Sequence, residues 1–330
     1  MKGAYKKFKL PKIKVGKELG AELLWWLITF QNEKYRSICE EFSADEETLF
    51  LLALTFHRPD RKEEAMKQII RYKPHVKNPQ RLRKILMECL SKVDLGTVKV
   101  SPEISKWKEK IPELKKRIKR VIDYFKPRPD TSPIDIIVLV PSNRMVSKTS
   151  GKSFRFGREL LIMSHSENLD NVEHEFLHGL INPIIEKVRL SQEQKKRIVK
   201  LAGQKLKRDY GEYPLSLLAE QFIRVYNDLI KKGRKPRKFK EFKQGLATLT
   251  EREFQKVKQS NGKLRKRLKE MEISSLEQLR KKAKEYYNRY LKDELEQRIF
   301  KLYLKYERMK RDDFEGFLKE NLKNLYRPSV

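Results

Sequence analysis

The stretch RELLIMSHSENLDNVEHEFLHGLI, residues 158–181, changes its period partway along. Its first part, RELLIMSHS (158–166), is a compact apolar run of strand length. From Glu167 onward apolar residues return at intervals of three and four, which predicts a helix. Asn168 or Asp170 can serve as its N-cap, and acidic residues occupy its first turn, where the helix dipole favours negative charge. Inside that helix stands HEFLH (174–178). Positions i and i+4 of a helix share one face, so His174 and His178 can present two imidazole nitrogens to one ion. Zinc accepts such nitrogens and keeps a position open for water at a catalytic centre. Glu175 would lie beside that water as general base. With five histidines in 330 residues, the pattern is expected by chance on the order of 0.01 times per chain.

Working outward, IDIIVLVP (134–141) is a continuous β-branched run, the mark of a buried strand, and GKSFRFG (151–157) is a second, shorter strand candidate. Downstream, 191–210 and 213–232 each read as one helix. KPRPDTSPID (126–135), with three prolines, predicts a boundary, and GRKPRKFK (233–240) a second. The first 125 residues read as mostly helix, with RYKPHVKNPQ (71–80) breaking the run, and the Tyr-rich stretch 275–310 reads as one long helix or two. Its aromatics Tyr286, Tyr287, Tyr290, Phe300, Tyr303 and Tyr306 recur at helical spacing and are expected to form a packing face. The expected architecture is α+β and predominantly α-helical. A core at 126–232, a small sheet plus the HEFLH helix, is flanked by helical regions at 1–125 and 233–330.

The formal charge of +32 is uneven. Residues 1–130 carry 31 basic against 18 acidic side chains, residues 131–232 carry 17 against 12, and residues 233–330 carry 29 against 15. The region of HEFLH is therefore the least basic. Dispersed positive charge of this kind supports weak, non-specific nucleic-acid binding through counterion release. A basic nucleic-acid-associated protein with a structural or inactive HExxH helix is accordingly the alternative reading. The Lys, Arg and Glu load with few glycines resembles heat-adapted composition. Cys39 and Cys89 form no CxxC unit and read as ordinary reduced thiols. LGAELLWWLITF (19–30) contains Glu22 and is too short to span a bilayer. The expectation is a cytoplasmic chain without membrane insertion.

HEFLH following a strand resembles the zincin fold of metallopeptidases, and HEFLHGLINP resembles poorly characterised zincin-like peptidases with Asn-Pro shortly after the second histidine. The resemblance covers roughly residues 131–232. It implies a zinc-dependent peptidase, a peptide or protein substrate, and a strand beside the cleft that pairs with that substrate. The metzincin pattern would need glycine at 181 and histidine at 184, and both are isoleucine. The gluzincin class takes its third ligand from a glutamate on a later helix. Here that points to Glu220, a carboxylate set among Leu217, Leu218, Ala219, Phe222 and Ile223. Such a carboxylate needs a metal or a partner, and Arg224 at i+4 can be that partner or orient it toward zinc. Asp209, Glu212 and Asp228 remain alternative ligands, whereas Glu186 is about 12 Å along the helix from His178 and too far. His165, Tyr213, Arg224 and Tyr226 are the candidate donors to a developing oxyanion. Asn182 and Pro183 are expected to end or kink the HEFLH helix.

Overall fold

The computed structural model describes residues 9–94, 104–127, 134–141, 151–164, 168–236, 250–260, 262, 265–266, 268, 273–286, 293–309 and 313–325. Contacts group the chain into two compact units, Met1–Leu180 and Ile181–Val330. The division falls inside the HEFLH helix rather than at either proline-bearing stretch. No described helix is long and apolar enough to cross a membrane.

The first unit begins with strand β1 (Lys12–Val15), followed by α1 (Leu19–Phe30), α2 (Asn32–Phe42), α3 (Glu46–Ala53), α4 (Lys62–Tyr72), α5 (Pro79–Ser91) and α6 (Ile104–Phe125). Strands β2 (Ile136–Pro141), β3 (Gly151–Phe156) and β4 (Glu159–Ser164) lead into α7 (Leu169–Glu186). The sheet order is β1-β2-β4-β3. β1, β2 and β4 run parallel, and β3 is antiparallel to β4. The helical reading of 1–125 therefore needs correcting at its start. KIKV is too short and too charged to announce a strand, and it becomes one by pairing with the buried run of β2.

Alternation along the strands gives the sheet two different faces. Val138, Val140, Phe154, Phe156, Leu161 and Met163 pack into one cluster with Leu23, Leu24, Leu27, Leu49 and Leu52 from the N-terminal helices. The opposite face carries Ile137, Leu139, Leu160 and Ile162 and receives α7, while α6 packs at β1. Both faces are covered, which is why β2 and β4 read as unbroken apolar runs. Arg61, in the turn before α4, ties these layers together from a fully buried position. Its guanidinium forms two hydrogen bonds to the Glu18 carboxylate at 2.9 Å, meets Glu159 of β4 at 2.6 Å, and lies over the Phe156 ring.

The second unit holds the end of α7, then α8 (Gln192–Leu201), α9 (Gln204–Tyr210) and α10 (Pro214–Val225), the last extended by a π-helical turn at Tyr226–Ile230. α11 (Glu251–Gln259), α12 (Leu276–Tyr286), α13 (Glu294–Met309) and α14 (Phe314–Asn321) follow. The stretch 191–210 is two helices, not one. Ser191 opens α8 with a capping box, and the chain turns extended at Ala202 and Gly203. The half-buried Asp293 carboxylate accepts the backbone N–H of Gly203 as well as those of Leu295 and Glu296, so one side chain caps two helix starts. Burial still holds that carboxyl above its ordinary pKa. Tyr303 and Tyr306 do form a packing face: both are buried against Phe314, and Tyr303 donates its hydroxyl hydrogen to the Phe222 carbonyl at 3.1 Å. Phe300 on the same helix is half-buried. The side chains of Tyr286, Tyr287 and Tyr290 lie outside the described residues.

Helix α7 approaches β4 most closely at Gly179. A Cβ there would lie 2.8 Å from one methyl of Leu160 and 3.2 Å from Ile134. Gly179→Ala is therefore expected to destabilise the fold by about 1–3 kcal/mol, the usual consequence of overpacking a filled core, despite alanine's better helix propensity. Urea unfolding followed by circular dichroism measures it, and a stabilised variant would contradict the close approach.

Candidate metal centre

The position of α7 is set from its first turn. Asn168 is the N-cap, its side-chain oxygen accepting the N–H of Asp170 at 2.9 Å. Arg117 of α6 reaches Asp170 at 2.6 Å and the buried Glu173 at 3.8 Å. Further along, Phe176, Leu177, Leu180, Ile181 and Ile185 are buried. Asn171, His174, Glu175, His178 and Asn182 form the half-buried stripe between them, at the three- and four-residue spacing of one helix face.

Pro183 does not end this helix, which continues to Glu186. Proline lacks the N–H that would bond to the carbonyl four residues earlier, at Gly179. Arg155 of β3 donates to that carbonyl instead, Nη1 to O at 3.1 Å. The guanidinium thus replaces the missing intrahelical donor, and it anchors the helix to the sheet beside the site.

The two histidines face each other as the spacing requires, with Nε2 atoms 3.2 Å apart. Two nitrogens bound to one tetrahedral zinc at ordinary bond lengths are separated by about 3.3 Å. Glu175 points toward β3, where the Ser153 hydroxyl donates to its Oε2 at 2.7 Å. Gly151, on the same face two residues earlier, lets the strand pass close by, since a Cβ there would lie 3.2 Å from Glu175 Cγ.

Glu220 sits on α10 and is 3% exposed. The guanidinium Nε of Arg224 donates to its Oε1 at 2.5 Å. The i+4 partner expected from the sequence is thus present. Nitrogen atoms of His174 and His178 and a carboxylate oxygen of Glu220 all lie within 4.8 Å of one another. Among the described residues this is the group of three or more His, Cys, Asp or Glu side chains spaced to hold a metal ion.

The other candidates are placed differently. Asp209 pairs with Arg208 at 3.0 Å and Asp228 with Lys232 at 3.0 Å, while Glu212 is exposed; none joins the group. Glu186 lies at the end of α7 and is also outside it. Tyr213 precedes α10 and is 41% exposed, and Tyr226 is buried beside Tyr303 in the aromatic core. His165 lies outside the described residues.

Sequence reasoning missed Ser153, Gly151 and Arg155. Their alternate spacing in GKSFRF announces one strand face, but nothing in the sequence says that α7 lies on that face. ELLIMS (159–164), as β4, is paired on both sides by β2 and β3. The edge strand beside Glu175 is β3.

The replacement of the proline's missing donor by Arg155 is measurable. Arg155→Ala should cost about 1–3 kcal/mol by leaving the Gly179 carbonyl underpaired. In a Pro183→Ala background, where the helix supplies its own N–H, the same change should cost less. Equal costs in denaturant titrations of the four variants would contradict the coupling.

No family model, no curated protein and no solved structure matches the chain.

Proposed function

We propose that the chain is a zinc-dependent metallopeptidase of gluzincin type, with His174, His178 and Glu220 as metal ligands and Glu175 as general base. The observation that carries this reading is the group itself: two imidazole nitrogens at tetrahedral spacing and a buried carboxylate oxygen within 4.8 Å. That outer distance exceeds the roughly 3.3 Å between donors on one tetrahedral ion, a gap the terminal torsions of a glutamate can close. Two nitrogens and one oxygen suit zinc, and three protein ligands leave the fourth position to water, the pattern of a catalytic rather than a closed structural site.

When bound, zinc supplies a water of lowered pKa and polarises the carbonyl under attack. The protein's own groups do the rest. Glu175 takes the proton of the attacking water and later delivers it to the leaving amine. Ser153, by donating to Oε2, fixes the orientation of that carboxylate and leaves Oε1 to face the water. Arg224 orients Glu220 in the same way, and truncating such a partner weakens metal affinity by roughly 10–100-fold. The N–H and C=O groups along the outer edge of β3 offer an extended peptide the pairing that places its carbonyl over Glu175.

Elemental mass spectrometry of the wild type should find about one zinc per chain, lost in His178→Ala and in Glu220→Ala and kept in Glu175→Gln. Peptide hydrolysis should fall by about 10²–10⁴-fold in Glu175→Gln. Absence of zinc from the wild type after adding it back would end the metal reading, and a wild-type rate in Glu175→Gln would end the general-base mechanism. Zinc retained in Glu220→Ala alone would transfer the third ligand to another residue.

A further inference from the structure

The outer edge of β3 is closed at one end. At the start of β2, the N–H groups of Asp135 and Ile136 bond to the carbonyl of Arg158, just before β4, so the backbone groups of Arg158, Leu160 and Ile162 turn toward β2. Those of Glu159, Leu161 and Met163 turn toward β3 and meet Phe156, Phe154 and Lys152. Gly151, Ser153 and Arg155 must then direct their N–H and C=O groups away from the sheet. An independent contact agrees: the side-chain amide of Gln68, on α4, donates to the Arg155 carbonyl. An edge strand offers a run of backbone groups for pairing, and a side chain that occupies one of them ends the run.

Resting on the peptidase reading above, we infer that Gln68 is a stop that sets the length of substrate accepted on one side of the reaction centre. Ser153 stands beside Glu175, and Arg155 is two residues, about 7 Å, further along β3. A peptide added to the edge pairs with Ser153 and meets the Gln68 amide at Arg155. Antiparallel pairing, the more stable and more frequent arrangement, directs the peptide's N-terminal end toward that stop. The substrate class is therefore peptides cut within about two residues of their N-terminus.

Two readouts on the full zinc-loaded chain test this. Ten-residue unstructured peptides are incubated with the wild type and with Gln68→Ala, and the products are mapped by mass spectrometry. The wild type should release only the first one or two residues, and Gln68→Ala should also cut internal bonds at unchanged zinc content. The second readout needs no turnover. In the Glu175→Gln chain, added peptide should slow exchange of the Ser153 amide by about tenfold or more and leave that of Arg155 unchanged. In the Glu175→Gln, Gln68→Ala chain both amides should be slowed. Internal cleavage by the wild type, release from the C-terminus, an Arg155 amide protected while Gln68 is present, or no protection at Ser153 would each overturn the inference. If nothing is cleaved but the exchange pattern holds, hydrolysis falls as the function and the closed peptide edge stands.

Discussion

Helix α7 can rest on the sheet only where a residue without a side chain meets Leu160, and Gly179 is that residue. The close approach brings the helix within reach of β3, so Ser153 can hold Glu175 and Arg155 can bond to the Gly179 carbonyl. That carbonyl needs an outside donor because Pro183 removes the internal one. Glycine, proline and arginine thus act as one device, from three positions that are not adjacent in the chain. The device fixes both the tilt of the helix against the sheet and the side of it that carries His174, Glu175 and His178.

The sheet beneath is buried on both faces, which confines unmet backbone hydrogen-bonding capacity to its edges. β1 forms one edge and β3 the other, and it is β3 that adjoins Glu175. Arg61 stiffens the same neighbourhood by pairing with Glu18 and Glu159 where water is excluded. Breaking such a pair from one side costs about 3–5 kcal/mol, since it strands a charge in the core. Precise placement of Glu175 therefore draws on rigid elements rather than on a loop.

Glu220 illustrates a different economy of charge. A carboxylate at 3% exposure within an apolar helix is tolerable only with compensation. Arg224 compensates one oxygen from the same helix. The charge surplus of the chain lies mainly outside residues 131–232.

By itself the sequence determined what depends on local period and spacing. The strands at 136–141 and 159–164, the HEFLH helix with its Asn168 cap, the i+4 pairing of Glu220 with Arg224 and the packing role of Tyr303 and Tyr306 were all legible, because each follows from neighbours within a turn or a pleat. Tertiary structure decided what depends on partners distant in the chain. KIKV is a strand only through β2, and ELLIMS is interior only because GKSFRF pairs outside it. The break at Gly203 involves Asp293, ninety residues on, and the helix runs past Pro183 because Arg155 reaches it. Ser153 beside Glu175 and Gln68 on Arg155 belong to the same class. Hydrogen bonds across such separations leave no periodic trace in the sequence, since a single donor at the right place suffices and its neighbours are free to vary.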